Sequence, residues 1–422
     1  MGKKGGEKAI KAHKKGKKEI MGFEYIKGRL CCDGIRIDEI AKKVETPFYL
    51  YSKEAIENNF REYKEAFSRL SPIICYAAKA NSNISILKLL AELGAGCDVA
   101  SAGELFLARK AGISSSKIVF NGNGKTEDDI KMAIKEKVFL IIADSIDELF
   151  LIDNITKEKI NVGIRINPGI EPKTHPYVAT GLEKSKFGVR ISGLKDAIGI
   201  IKKMKNVNLV CLSSHIGSQI TELSPFVENA EKLVALAFEI GGIEYINIGG
   251  GLGIPYNNEN FPGISQFAKE ITSIIKGSSF KLILEPGRSI VGNSGCLVTR
   301  VLYLKETKTK KFIIVDAGMN DLMRPALYNS FHRILQSELR EQGEIIADIV
   351  GPLCEDGDFL ARERKMSAVS SSDLLCIMDA GAYSFSMSSN YNGRPRCPEV
   401  MVIDKKPCVI RKRETFKDLI RN

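Results

Sequence analysis

From residue 73 to 288 the chain alternates short apolar runs with longer stretches of helical spacing, eight times over. The runs are IICYAAK (73–79), GCDVA (96–100), KIVFN (117–121), VFLIIAD (138–144), NVGIRIN (161–167), NLVCLSSHIG (208–217), IEYINIG (243–249) and FKLILEPG (280–287). Several are nearly continuous in β-branched or apolar residues, the pattern of strands covered on both faces. Between them, segments such as SNISILKLLAELGAG and SIDELFLIDNITKEK place apolar residues at helical intervals, with Ser or Asn caps and Gly stops. Eight such units in succession predict a (β/α)8 TIM barrel over residues 51–295. After residue 296 the pattern changes to closely spaced strand-like runs, CLVTRVLYL, KFIIVDAG, EIIADIVG, DLLCIMDAG, PEVMVI and PCVIRK. These predict a second, mostly antiparallel β domain over 296–422. Strand-like pieces in GRLCCDGIRIDEIAKKVETPFYLYS make residues 21–50 the expected N-terminal part of that domain. A length of 422 residues suits an α/β chain with two cores.

The formal net charge of +11 is unevenly spread, because residues 1–20 hold eight lysines against Glu7 and Glu19 and supply +6 of it. This basic tail is expected to be a disordered, solvated extension; RNA or anionic lipid are the partners it could touch, and nucleic-acid binding is not expected of the folded body. Gly6 stands where myristoylation wants Ser or Thr, and a tail without Arg or Ser argues against an organelle transit peptide. No apolar stretch approaches the roughly 20 residues that span a bilayer, and no secretory signal opens the chain, so no membrane association and a cytoplasmic location are expected. Ten scattered cysteines without a CxxC pair point to reduced thiols, with neither a disulfide framework nor a metal site.

In such barrels the active site lies at the carboxyl ends of the strands. Lys79, Asp98, Arg165, Asn167, His215, Gly249 to Gly251 and Glu285 to Arg288 all fall there. Lys79 closes an apolar run, where scarce water would disfavour its ammonium form and free an amine to attack a carbonyl. GGGLG follows the seventh run and EPGR the eighth, where these barrels hold phosphate, and glycines let backbone N–H groups approach an anion. Together they predict a site for an aldehyde cofactor carrying a phosphate. Each residue also has a purely structural reading. Glu285 could pair with Arg288, His215 could be a core histidine, and Asp98 could cap the helix ASAGELFLARK. Cys354 could be a buried apolar residue. Arg324 and Tyr328, four apart in DLMRPALYNSF, can project to one point, and a guanidinium suits a carboxylate; a surface arginine on a short helix is the alternative.

The ordered set YAAKAN, GCDVASAGEL, THPYVATG, KFGV, HIGSQ, GGGLG, EPGR, RPALY, GPLCE and SNYNGRPR resembles the fold-type III pyridoxal-phosphate decarboxylases. It is most similar to the branch that acts on diaminopimelate, and the likeness runs from about residue 25 to 410. The resemblance implies pyridoxal 5'-phosphate as cofactor and decarboxylation of meso-2,6-diaminopimelate to L-lysine and CO2, the last step of lysine biosynthesis. It implies that Lys79 holds the cofactor, surrounded by Asp98, His215, Gly250, Gly251, Glu285, Pro286, Gly287, Arg288 and Tyr383. Glu285 would meet the pyridine nitrogen and His215 the ring face. Arg288, Arg324, Tyr328, Glu355 and Tyr383 correspond to substrate-binding positions, with Glu355 on the distal amine where decarboxylases of simple diamines carry Asp. Cys354 corresponds to the acid that reprotonates the carbanion from the neighbouring subunit, so a homodimer with shared active sites is implied.

Three departures from the family pattern stand out. Asn247 replaces an Asp that commonly precedes the triple glycine, Glu45 replaces a Gly before Thr46-Pro47, and SSHIGSQ lacks the usual small-residue/Cys pairing. Neither Asn247 nor Glu45 is expected to touch the chemistry. Arginine, ornithine or a carboxylated polyamine is the alternative substrate, opposed by Arg324, Tyr328 and Glu355. A cofactor-binding regulator without turnover would be expected to lose Cys354 or the substrate arginine.

Overall fold

The computed structural model describes residues 21–172, 180–181, 185–257, 259, 261–340 and 342–420. The Lys-rich tail and most of THPYVATG lie outside the described residues. The described residues form two compact units, one within Glu57–Ile254 and Phe261–Ile290, the other within Met1–Ile56, Pro255–Asn260 and Val291–Asn422.

In the first unit the strands Ile73–Ala77, Gly96–Val99, Ile118–Phe120, Leu140–Ala143, Ile160–Asn167, Val207–Ser213, Tyr245–Asn247 and Lys281–Leu284 pair side by side in chain order, all parallel. Ile283 of the last strand lies opposite Ile73 of the first, which closes the barrel. The apolar runs are long because each strand is covered inside and out: every residue of Leu140–Ala143 is buried. Cys75, Val119, Leu140, Ile142, Val210, Cys211 and Ile283 pack together as the interior core. Helix starts follow the side chains that satisfy their first N–H groups. Asn83 accepts from the Ser85 N–H, Ser101 from Glu104 and Ser145 from Glu148, and Thr126 forms a reciprocal capping box with Asp129. Caps so close to the strand ends keep the connecting loops short and their side chains at the rim. Among the described residues no helix is long and apolar enough to cross a membrane.

The second unit is built on a sheet in the order Phe359–Ser367, Glu344–Val350, Lys311–Val315, Gly295–Glu306, Phe48–Ser52, Glu399–Ile403 and Lys406–Arg411. Leu374–Ile377 pairs with both Gly295–Glu306 and Ile334–Gln336. Two neighbouring pairs are parallel and the rest antiparallel. The N-terminal segment splits. Phe48–Ser52 joins the main sheet, whereas Phe23–Ile26, Arg29–Cys32 and Ile35–Arg36 form a three-stranded sheet of their own. IDEIAKKV is a helix, Ile37–Val44, because Ile37, Ile40 and Ala41 recur at helical spacing and bury against Phe23, Leu30, Phe48 and Val298. The strand Phe359–Ser367 has no apolar alternation to betray it. It carries Arg362, Glu363, Arg364 and Lys365 at the sheet edge, where charge discourages pairing with another chain.

Candidate active site

At the barrel's carboxyl rim the structure brings together Lys79, Asp98, His215, Gly250, Gly251, Glu285, Pro286, Gly287 and Arg288. Lys79 lies in the single-turn helix Ala78–Ala80, just past the first strand. Its Nζ donates to Asp98 Oδ2 at 2.8 Å. The expected burial of this amine is corrected: its side chain is 40% exposed, because it rises from the turn beyond the packed strand layers. What holds the ammonium is a buried carboxylate. Asp98 does not cap the following helix, a task that falls to Ser101.

Glu285 follows the eighth strand and is buried. Its partners are two amides and not Arg288: Asn121 Nδ2 donates to Oε1 at 2.7 Å and Asn247 Nδ2 at 2.6 Å. Asn121 also donates to Asp98 Oδ1 at 2.7 Å, so one amide bridges both carboxylates. Burial, with Asp98 nearby, raises the Glu285 pKa to about 7, opposed by Lys79 and the two amides. Asn247, expected to stand apart from the chemistry, therefore touches the central carboxylate. Arg288 Nη2 donates instead to Ser218 Oγ at 2.9 Å.

His215 is held far below its ordinary pKa, by burial first and then by the charges of Lys79 and Arg165. The ring is neutral, and its Nδ1 accepts the Gly250 N–H at 3.3 Å, which leaves the proton on Nε2. Arg165 reaches Asp144 Oδ1 and the His215 carbonyl, each at 3.4 Å, and lies over the Phe187 ring. Asn167 bonds the Phe187 carbonyl and the Gly169 N–H.

The glycine run has a physical cause. A Cβ on Gly250 would collide with the Glu285 carbonyl oxygen, and one on Gly251, whose φ is 111°, with the Gly217 carbonyl. The loops after the sixth, seventh and eighth strands thus touch backbone to backbone. The Ala77 N–H donates to Pro286 O at 3.0 Å, tying the eighth loop to the strand that precedes Lys79. The N–H groups of Gly251 and Gly287 have no acceptor among the described residues. Free N–H groups suit a phosphate, a neutral imidazole suits an aromatic face, and an exposed amine suits an aldehyde. The residues present therefore fit a pyridoxal phosphate.

The second unit carries Arg324, Tyr328, Cys354, Glu355 and Tyr383 on loops and one short helix. Arg324 and Tyr328 bound the single turn Arg324–Tyr328, and Arg324 is buried, not a surface arginine. Its guanidinium lies 4.6 Å from the Tyr256 ring centroid and bonds His332 Nε2 at 3.0 Å and Ser330 Oγ at 3.4 Å. His332 Nδ1 is 2.8 Å from the Met378 carbonyl, which only accepts, so Nδ1 carries the proton and Nε2 receives the Arg324 N–H. Cys354 is exposed, which removes its reading as a buried apolar residue. Glu355 Oε2 accepts from Tyr391 Oη at 3.0 Å. Their loop is pinned by buried Asp358, whose Oδ1 accepts the Met319 N–H at 2.6 Å and Oδ2 the Leu353 N–H at 2.7 Å. Tyr383 sits at φ 54°, in a loop braced by the bidentate pair of Arg333 with Asp379.

Asn121, Ser218, Tyr256, His332 and Asp358 were not singled out by their sequence context. Asn121 could have been, since it closes an apolar run at a strand's carboxyl end as Lys79 does.

Residues 53–292 match the family model described as pyridoxal-dependent decarboxylase, pyridoxal binding domain. The diaminopimelate decarboxylase of Aquifex aeolicus is 44% identical over 406 residues, covering 94% of this chain and 96% of that protein. The solved diaminopimelate decarboxylase of Methanocaldococcus jannaschii in co-complex with L-lysine matches with a TM-score of 0.91 at 42% identity, over 95% of this chain and 97% of that one. The Helicobacter pylori enzyme complexed with L-lysine matches with a TM-score of 0.87 at 40% identity, over 90% and 98%.

Proposed function

The chain belongs to the pyridoxal-dependent decarboxylases, and from that premise we infer that it converts meso-2,6-diaminopimelate to L-lysine and CO2 with pyridoxal 5'-phosphate as cofactor. This is the last step of lysine biosynthesis. The observation that carries it is the full-length likeness to enzymes of that activity, which extends through the unit bearing Arg324 and Glu355.

When bound, pyridoxal phosphate supplies the electron sink for the pair left behind as the carboxylate departs. Lys79 would hold its aldehyde carbon. Gly250, Gly251, Pro286, Gly287 and Arg288 would line its phosphate, with Tyr383 beside it. His215, neutral, would offer it a ring face without a competing charge, and Glu285 would meet its ring nitrogen. Asp98 keeps the Lys79 amine at the rim. Arg324 and Tyr328 bind the distal carboxylate of the substrate, Glu355 its distal ammonium, and Arg288 and Tyr383 its reacting end. The Cys354 Sγ–H delivers a proton to the carbon that has lost CO2. A substrate with a single carboxylate leaves Arg324 without its ligand, which is how the site rejects ornithine and arginine.

The working assembly is a homodimer with shared active sites, and the exposed position of Cys354 supports its acting on a neighbouring subunit. Ten free thiols support a reducing, cytoplasmic location. The Lys-rich tail is the one candidate for nucleic-acid contact.

The test is CO2 release from diaminopimelate, ornithine and arginine side by side, with lysine quantified as product. Release from diaminopimelate alone is expected; equal release from ornithine would overturn the substrate assignment.

A further inference from the structure

The two oxygens of Glu285 are treated differently. Oε1 receives two amide hydrogens, whereas Oε2 has no hydrogen-bond partner among the described residues. The direction of each bond can be read from its ends. Gly249 N–H can only donate, and it donates to Asn247 Oδ1 at 2.9 Å. The Asn247 NH2 group must therefore be the end that faces Oε1, 2.6 Å away. Asn121 spends its NH2 group on two acceptors, Asp98 Oδ1 and Glu285 Oε1, each at 2.7 Å. Asp98 Oδ2 is taken by Lys79. Along the row Lys79, Asp98, Asn121, Glu285, Asn247 and Gly249, every carboxylate oxygen in use only accepts, and no bond requires a carboxyl proton.

We propose that Asn121 and Asn247 are positioning residues that hold Glu285 ionised and turned so that Oε2 alone is offered to the cofactor's ring nitrogen. The proposal rests on the reading of Glu285 as the ring-nitrogen partner and deepens it. Chemistry gives the reason for amides at these places. A buried carboxylate draws a proton to itself, and a protonated Glu285 would have no charge with which to keep the ring nitrogen protonated. Two donors on Oε1 stabilise the anion without adding charge. An aspartate at 247 would instead set a second carboxylate at hydrogen-bond distance, and the pair would bind a proton between them. The charges that act on Glu285 are Asp98 on the second strand, Lys79 after the first and, more weakly, Arg165 on the fifth. The buried thiols Cys75 and Cys211 lie close by on the first and sixth. None of the three charged groups donates a hydrogen bond to Glu285, so the orienting work falls to the amides.

The experiment is a pH titration of holoenzyme loaded with cofactor labelled with 15N at the ring nitrogen, read by its chemical shift, alongside the pH profile of kcat. Wild type, Asn247→Leu, Asn247→Ser, Asn121→Ser and Glu285→Gln are compared; the serine variants stand in if the leucine variant does not fold. In the asparagine variants the ring nitrogen is expected to give up its proton, and the acid limb of kcat to move up by about one pH unit, a tenfold gain in carboxyl proton affinity. Ring-nitrogen shifts and acid limbs identical to wild type in the asparagine variants, with Glu285→Gln still deprotonating the ring, would overturn the proposal alone. An unchanged ring nitrogen in Glu285→Gln would overturn the reading of Glu285 and the proposal with it.

Discussion

The two units place their polar side chains by different means. In the barrel, Lys79, Asp98, Asn121, His215, Asn247 and Glu285 come from six separate strand ends, and parallel register alone sets them side by side. In the sheet unit, Arg324, Cys354, Glu355 and Tyr383 sit on connections, and buried polar anchors do the placing: His332 for the guanidinium, Asp358 for the Cys354 loop, the Arg333–Asp379 pair for the Tyr383 loop. A site carried by strand ends loses function only when its own residues change. A site carried by loops should also fail when a residue beneath it changes.

Lys79→Ala marks the extreme of the first kind. It should cut lysine formation by about 10³-fold or more and abolish the absorbance of covalently held cofactor, while the fold persists. Retained turnover in a yellow protein would contradict it. Asp358→Ala is the matching case in the sheet unit. Losing both backbone anchors should lower stability by about 1–3 kcal/mol and kcat by about tenfold, although the residue is given no contact with substrate. A control is Thr126→Ala, which removes a barrel-helix cap for about 1 kcal/mol; its kcat should stay at the wild-type value. If both variants lose activity in step with stability, the contrast between the units disappears.

Buried Asp321, whose Oδ2 accepts the Gly318 N–H, is raised by burial to about 6. The folded chain then binds this proton more tightly than the unfolded one, so the group's contribution to stability falls as pH rises from 4 to 6 and stays low above that. Asp321→Asn should therefore gain about 3 kcal/mol at pH 8 and nothing below pH 4, as denaturant melts at the two pH values would report. The smallest effect is expected at Glu45, which ends the helix Ile37–Val44 at φ 63° and ψ 150°, a region suited to glycine. Glu45→Gly should raise stability by about 1 kcal/mol; a lower melting temperature would show that the backbone is not strained there.

The barrel was legible because burial on both faces leaves apolar runs, and its rim because a polar residue closing such a run is conspicuous. Lys79 and Glu285 close their apolar runs in this way, whereas Asp98 lies one residue inside its strand and His215 two residues beyond its own. The same signal at Asn121 and Asn247 was weaker, since asparagine ends strands for many reasons and only a partner across the barrel gives it meaning. His332 and Asp358 left no pattern, because an anchor's role lies in where a distant backbone carbonyl or N–H happens to be. The strand Phe359–Ser367 escaped for the opposite reason to the barrel strands: an edge needs charge, and charge erases the period that reveals a strand. Lys79 stands at the strand's carboxyl end, where its apolar run places it, but its exposure could not be read from its neighbours. Apolar flanks report the strand, and the turn after it decides what the side chain sees.

Phe48–Ser52, buried along its whole length, takes one neighbour from Gly295–Glu306 and the other from Glu399–Ile403. During synthesis this early segment must wait through the entire barrel for its first partner and through most of the sheet unit that follows for its second. Nascent chains would carry an unsatisfied hydrophobic ribbon for most of translation, an obvious client for a ribosome-associated chaperone.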